Sequence, residues 1–268
     1  MEKILVLGHK GMLGNAVYKY FSEQPDRFSL LTLNDRWDTE EFKNNMTLQE
    51  ADYIINCIGI IPQKKPAPEL YQKVNTDLPV FLETLGKKII HPTTDCEFSG
   101  SIPNDQKYTK ESVRDVSDIY GKSKADISKM IEESFVNTKM IRTSIIGHEE
   151  NTHLSLLDWF LSTEGTTNGY TNHYWNGITT LEWAKLAENL IENWDTLPTL
   201  NQYGTELIRS KYDLLCDIKK VYEKDITIIP FEAPAGANKC LTTDMVIKPI
   251  AEQLAELKEF YKKEHRAV

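Results

Sequence analysis

Tyr120 and Lys124 stand four residues apart in Asp118-Ile119-Tyr120-Gly121-Lys122-Ser123-Lys124, a spacing that puts two side chains on one face of a helix. An ammonium beside a phenol stabilises the phenolate and lowers the tyrosine pKa, so the pair is suited to passing a proton at neutral pH. With 12 tyrosines in the chain, about one such pair is expected by chance, and position has to carry the argument. Upstream, at the end of an apolar run, lies His91-Pro92-Thr93-Thr94-Asp95-Cys96-Glu97-Phe98-Ser99-Gly100. A hydroxyl at the carboxyl end of a parallel strand sits where open α/β sheets bind their ligands, and from there Thr94 can bond a substrate carbonyl oxygen.

A second constellation opens the chain. Gly8-His9-Lys10-Gly11-Met12-Leu13-Gly14 follows the first apolar run and leads into a helical stretch. Glycines there allow a tight turn, let backbone amides approach a pyrophosphate, and pack the helix close to its strand. The spacing differs from the GxGxxG of many dehydrogenases, so the strand-to-helix context supports the assignment of Gly8, Lys10, Gly11, Met12, Leu13 and Gly14 to a dinucleotide site. Asp35 falls where an acidic residue would hold the adenosine ribose, but Arg36 follows it. Arg36 and Lys10 both suit a ribose 2'-phosphate, which favours NADP(H), with NAD(H) as the alternative if both are merely solvated surface charges.

These residues need an α/β frame. Short runs rich in Ile, Val and Leu alternate with helix-period stretches, the signature of a doubly wound parallel sheet of Rossmann type. Strands are expected at Lys3 to Leu7, Ser29 to Leu33, Tyr53 to Cys57, Lys88 to Pro92 and Lys139 to Ser144, with helices near Met12 to Ser22, Glu69 to Leu85 and Asp118 to Glu133. Residues 1–150 then form the dinucleotide-binding domain. Residues 151–268 form a small substrate-binding lobe, parts of which return to pack on the first domain. In that half a helix is expected over Thr179 to Trp194, with Thr179 and Glu182 as a capping box. Others start at Ser210 and near Met245, the latter running to Tyr261.

Composition narrows the partners. The 268 residues carry 31 basic and 40 acidic side chains, a net charge of -9, which opposes a broad nucleic-acid or acidic-membrane surface. No stretch reaches the ~18 uninterrupted apolar residues of a membrane span, and the first residues lack a signal-peptide cleavage site, so the expected compartment is the cytoplasm. Cys57, Cys96, Cys216 and Cys240 are scattered without ligand spacing, which predicts free thiols and no structural metal.

Together the glycine loop, a Thr 26 residues before the Tyr, and Tyr-x-x-x-Lys resemble an extended short-chain dehydrogenase/reductase. More narrowly, the chain is similar to the dTDP-4-dehydrorhamnose reductase-like branch, whose pattern reads Ser-Thr-Asp-Tyr-Val-Phe-x-Gly. The resemblance takes in Ile55-Asn56-Cys57-Ile58-Gly59, Val74-Asn75, Ile141-Arg142-Thr143-Ser144 and Asn176-Gly177-Ile178-Thr179-Thr180. It implies Tyr120 as general acid, Lys124 as its electrostatic partner and cofactor-ribose ligand, Thr94 as carbonyl ligand, Asn75 as an ordering residue, and Cys57, Ile58 and Gly59 along the cofactor. It also implies a homodimer and reduction of a nucleotide-diphospho-4-keto-6-deoxysugar by hydride from nicotinamide, in surface-glycan precursor synthesis.

Departures open alternatives. Cys96 stands two residues after Thr94, as an acid/base cysteine does in the related GDP-fucose synthases, and Asn151-Thr152-His153 resembles their Asn-Ser-His segment. A thiol and an imidazole on opposite sides of a sugar ring would permit a 3- or 3,5-epimerase step in the same site. Asp95 and Glu97 would share a strand face, leaving a sugar-nucleotide dehydratase, or substrate contacts from both, as a further reading; a non-catalytic sugar-nucleotide or NADP-binding subunit is another. For the nucleotide, Trp159, Tyr170, Tyr174 and Trp175 are candidate stacking partners, and Lys239 a phosphate contact.

Overall fold

The computed structural model describes residues 1–150 and 152–262. Strand β1 (Glu2–Leu7) pairs in parallel with β2 (Phe28–Leu33) on one side and β3 (Tyr53–Asn56) on the other. Beyond β3 lie β4 (Lys88–Thr93), β5 (Thr138–Arg142) and the strand Leu200–Gln202, all parallel. The sheet order, from Leu200–Gln202 through β5, β4, β3 and β1 to β2, reverses direction between β1 and β3. A crevice therefore opens beyond the carboxyl ends of those two strands, the usual ligand position in such sheets.

Alternation along β1 shows why the sheet is covered on both faces. Ile4 and Val6 join Val17 and Phe21 of helix α1 (Met12–Ser22) and Trp183, Ala187 and Leu190 of the helix Thr180–Glu192. Leu5 and Leu7 join Phe42, Leu48, Leu78 and Leu82 on the opposite face. All four β1 side chains are fully buried, as the continuous apolar run of a parallel strand requires.

The helix expected over 69–85 is interrupted. An α turn at Glu69–Gln72 passes into a π segment at Lys73–Asp77 and resumes as α-helix at Leu78–Glu83. Pro79 lacks the amide that would bond the Asn75 carbonyl, which relaxes the register at that turn. Thr179 caps its helix by accepting from the Glu182 amide at 3.2 Å, but its own amide goes to Gln253 Oε1 at 2.9 Å, so only half of the expected capping box forms. Ser210 and Asp213 make a complete one ahead of the helix Lys211–Tyr222. The last helix starts at Ile250 rather than near Met245, because Pro249 disfavours helical backbone at the residue before it.

Those later helices enclose a second core of Leu157, Phe160, Trp175, Leu215, Leu254 and Leu257, among others. Beside it, a three-stranded sheet sets the strand His173–Trp175 between Arg209–Ser210 and Ala237–Asn238. Among the described residues, no helix is long and apolar enough to cross a membrane.

Candidate active site

The turn between β1 and α1 has three glycines with different demands. Gly8 has φ +74°, and a Cβ there would lie 3.0 Å from the Cys57 carbonyl carbon; one on Gly14 would fall 2.1 Å from the Gly8 oxygen. Both are imposed by the protein's own backbone. Gly11 is different: its φ is −87°, and the nearest atom to an added Cβ is 3.4 Å away. The space above Gly11 faces the first turn of α1, which carries no acidic residue, and the adjacent His9 Nδ1 is buried without a hydrogen-bond partner. An open backbone cradle, helix amides and an orphaned ring nitrogen suit the anionic bridge of a dinucleotide. Lys10 is exposed beside it, Met12 is partly buried, and Leu13 packs into the core with Val17 and Phe21.

A cleft of about 270 Å³ lies beyond the carboxyl ends of β2 and β3, lined by Asp35, Arg36, Trp37, Asp38, Ile58, Gly59 and Lys73 among others. Asp35 is exposed and accepts from Asn45 Nδ2 at 3.0 Å. Two cations share one carboxylate, with Lys73 Nζ 2.7 Å and Arg36 Nε 3.4 Å from Asp38, and the lysine's hydrogen bond holds the Asp38 carboxyl below its usual range. Arg36 is thereby left exposed at the cleft mouth, held to Asp38 only by the longer of the two contacts. Lys73 was not visible in the sequence reading because its place depends on the helical stretch that carries it across the cleft. Cys57 contributes backbone, its amide bonding the Leu7 carbonyl at 3.0 Å, while burial pushes its thiol up.

Thr94, Tyr120 and Lys124 come together at the end of β4. Asp118 caps the helix Ile119–Ser134 by accepting from the Gly121 amide at 2.8 Å. Gly121 lets that helix close on the preceding loop, since a Cβ there would lie 2.3 Å from the Cys96 carbonyl oxygen. The Thr94 hydroxyl accepts from the Cys96 amide and donates to Asp95 Oδ1, both at 3.1 Å. Lys124 is 7% exposed and donates to the Pro92 carbonyl at 2.9 Å.

Electrostatically the pair differs from the sequence expectation. Burial, followed by the neighbouring Cys96, pushes the Tyr120 phenol well up, and hydrogen bonding with Thr94 only partly offsets this. The lysine itself is pushed down to about 8 by burial, against the pull of Glu97. Tyr120 is thus a phenol at neutral pH, a proton donor rather than a resting phenolate.

Three further expectations are corrected. Asp95–Glu97 is a 3₁₀ turn and not a strand, so Asp95 and Glu97 do not share a face. Glu97 is fully buried, where it accepts from Arg142 Nη2 at 2.8 Å, Arg114 Nε at 2.6 Å, Ser128 Oγ at 2.6 Å and the Thr93 hydroxyl. It therefore touches neither substrate nor Asp95, and no Asp-Glu acid/base pair exists for dehydration. Trp175 is 2% exposed, its indole donating to Ser144 Oγ at 2.8 Å within the second core, and it offers no face to a base.

Cys96 and His153 are not brought together. Cys96 lies against Thr94 and Asp95, and its thiol is pushed up to about 12 by burial and then by Asp95, which keeps it protonated. His153 is exposed, with no hydrogen bond or ion pair among the described residues. Its loop is anchored by another histidine, His148, between Asp158 Oδ1 at 2.7 Å and the Tyr222 hydroxyl at 2.9 Å. Asn151 lies outside the described residues.

Asn75, in the π segment, is 1% exposed and ties three elements. It accepts from the Ile60 amide at 2.9 Å and donates to the Ile60 carbonyl and Ser123 Oγ, both at 3.1 Å. It thereby fixes the loop after β3 to the helix bearing Tyr120. Lys239 is partly buried and acts on Cys96 and Asp115. Trp159 and Tyr170 are exposed, at 40% and 42%. Tyr170 stacks on His173 with ring centroids 4.8 Å apart, and the Tyr174 hydroxyl accepts from Asn104 Nδ2 at 3.3 Å.

Comparison with known proteins agrees with this architecture. A dTDP-4-dehydrorhamnose reductase from Clostridium acetobutylicum superposes with a TM-score of 0.78 at 17% identity, over 97% of this chain and 99% of that one. The Bacillus anthracis dTDP-4-dehydrorhamnose reductase in complex with NADP gives 0.78 at 15%, over 97% and 99%. A GDP-mannoheptose C4 reductase from Campylobacter jejuni with NADP bound gives 0.73 at 12%, over 97% and 98%. At these identities the likeness is one of fold. No curated protein matches the chain. The family model described as the RmlD substrate binding domain matches residues 1–164, more than half of the sequence, and the chain belongs to that family.

Proposed function

We propose that the protein is an NADP(H)-dependent reductase of a nucleotide-diphospho-4-keto-6-deoxysugar. The observation that carries this reading is the convergence of Thr94, Tyr120 and Lys124 at the end of β4, beside a glycine turn left open at Gly11. The solved reductases described above, with NADP in two of them, support it. Arg36 and Lys73 at the cleft mouth favour a cofactor with a 2'-phosphate. Bound there, the nicotinamide would supply hydride to the keto carbon.

The chain's own residues do the rest. Thr94 directs its hydroxyl at the carbonyl oxygen, and Tyr120, held as a phenol, gives that oxygen its proton. As the proton leaves, the Lys124 ammonium one turn along the same helix stabilises the phenolate that remains. Epimerisation has less support, since a protonated Cys96 is no base and His153 makes no contact with it.

The test is NADPH oxidation over a panel of nucleotide-linked 4-keto-6-deoxysugars. With an accepted substrate, Tyr120→Phe should lower kcat by ~100-fold or more while NADPH binding is kept. Wild-type turnover by that variant would remove Tyr120 as the donor.

A further inference from the structure

His91 and Asn56 sit side by side on the two central strands of the sheet, directly after the register partners Ile90 of β4 and Ile55 of β3. Both side chains are buried, at 1% and 0% exposure. The Asn56 amide has a fixed orientation, because its oxygen accepts from the Ile58 amide at 3.2 Å. Its nitrogen therefore faces the histidine and donates to His91 Nδ1 at 3.3 Å. A ring nitrogen that accepts carries no proton, so the proton of the neutral imidazole is on Nε2. That second nitrogen is buried without a hydrogen-bond partner among the described residues.

An orphaned donor in a closed interior carries its full desolvation penalty. Moving the proton to Nδ1 would set one N–H against another at Asn56, and adding a second proton would do the same beside the Lys124 ammonium. Burial, then Lys124, holds the ring well below its usual range, so it is neutral while the lysine is charged. An apolar side chain would remove the orphan but strand the Asn56 nitrogen. What the acceptor serves lies on the far side of Asn56. The Ile58 amide is 3.0 Å from the place of a Cβ on Gly8, so its position sets how closely the loop after β3 approaches the glycine turn. Asn75 holds Ile60 of the same loop, which fixes Ile58 and Gly59, two residues lining the cleft, from both ends.

We propose that His91 is a positioning residue, locked as the neutral Nε2–H tautomer, that sets Asn56 to hold the Ile58 amide and with it the wall of the cofactor cleft. The ring exchanges no proton with the site; its one task is to accept at Nδ1. Its strand also supplies the Pro92 carbonyl that receives Lys124 at 2.9 Å, so the same residue joins the cofactor wall to the catalytic end. The role given to the wall rests on the NADP(H) reading above, whereas the tautomer does not.

The tautomer is read on the free protein, labelled with ¹⁵N-histidine, by long-range proton–nitrogen correlation. Of the six histidines, the one missing from His91→Asn is assigned to position 91. A neutral Nε2–H ring from pH ~5.5 to ~8 is expected; an Nδ1–H ring, or one that gains a proton in that range, overturns the proposal. NADP⁺ is then titrated calorimetrically into wild type, His91→Asn and His91→Gln, each checked for folding by its urea midpoint. Asparagine puts an acceptor oxygen on the Cγ that carries Nδ1, while glutamine moves its amide one carbon outward, to the Nε2 end. His91→Gln should weaken NADP⁺ binding by ~10-fold or more and His91→Asn by less than ~3-fold. Equal affinities in the two variants, at the wild-type level or reduced, overturn the positioning role, because the acceptor would then make no difference. Absence of NADP⁺ binding in wild type overturns instead the cofactor reading beneath it, and the spectrum of the free protein still decides the tautomer.

Discussion

Glu97→Gln is the sharpest test of how the catalytic end is held together. The carboxylate and the Arg142 guanidinium are both fully buried and 2.8 Å apart. Arg114 adds a second ion pair at 2.6 Å, and Ser128 and Thr93 bond the other oxygen. Removing one partner of a buried pair costs ~3–5 kcal/mol, chiefly because the remaining charge is left uncompensated. Glu132 provides partial relief, lying 2.7 Å from Arg114 and 3.8 Å from Arg142, and Gln202 still accepts from Arg142 at 3.1 Å. Glutamine also retains an oxygen for the two hydroxyls. The low end, ~3 kcal/mol, is therefore expected.

The assay is urea denaturation with linear extrapolation, run as a cycle with Arg142→Met. Replacing both partners should cost less than replacing Glu97 alone, because no buried charge is stranded. A loss below ~1 kcal/mol for Glu97→Gln, in the range of a surface ion pair, would refute the buried network as the tie between β4, β5 and the helix Ile119–Ser134.

Two glycines of the first turn should respond differently. Gly14→Ala, with its Cβ 2.1 Å from the Gly8 oxygen, should destabilise by ~2–4 kcal/mol in urea, whereas Gly11→Ala should cost under ~1 kcal/mol yet weaken NADPH binding by ~10-fold or more, as read by fluorescence titration. Arg36→Ala should raise KM for NADPH by ~10-fold and leave KM for NADH alone; equal effects on both would detach Arg36 from the 2'-phosphate. Lys124 is pushed down to about 8 in the free protein, so it is charged below that pH and neutral above it. Because kcat/KM reports the free enzyme, it should fall as pH rises through about 8, and a flat profile to pH 10 would sever the lysine's charge from catalysis.

The parts of the site legible in the sequence are those whose demands are local. Gly8 and Gly14 are dictated within seven residues, by a positive φ and by a helix packed on its own turn. Tyr120 and Lys124 share a helix with its cap, and Thr94 follows directly on the strand that positions it. Glu97 was misread because its partners come from four separate segments and because an assumed strand there is a 3₁₀ turn. Trp175 looks like a stacking platform until its indole is seen bonded to Ser144, 31 positions earlier.

Glu97 also links the structural and chemical readings of the catalytic end. It is the one carboxylate that raises the Lys124 pKa against burial, and it reaches that lysine's helix through Ser128, one turn further along. The same group that ties the segment bearing Thr94 to the helix bearing Tyr120 thus helps to keep Lys124 protonated when the phenol gives up its proton. Tyr120 is raised by burial and by Cys96, and the carboxylates near it, Asp95 and Asp118, raise it further, so it stays a phenol. Opposite shifts in two residues one turn apart match the roles proposed for them, the tyrosine as the acid and the lysine as the charge that stabilises what the acid becomes. Burial alone would make the lysine too weak a cation for the proposed role, and the buried carboxylate that counters it is also what ties the segment bearing Thr94 to the helix bearing Tyr120 and Lys124.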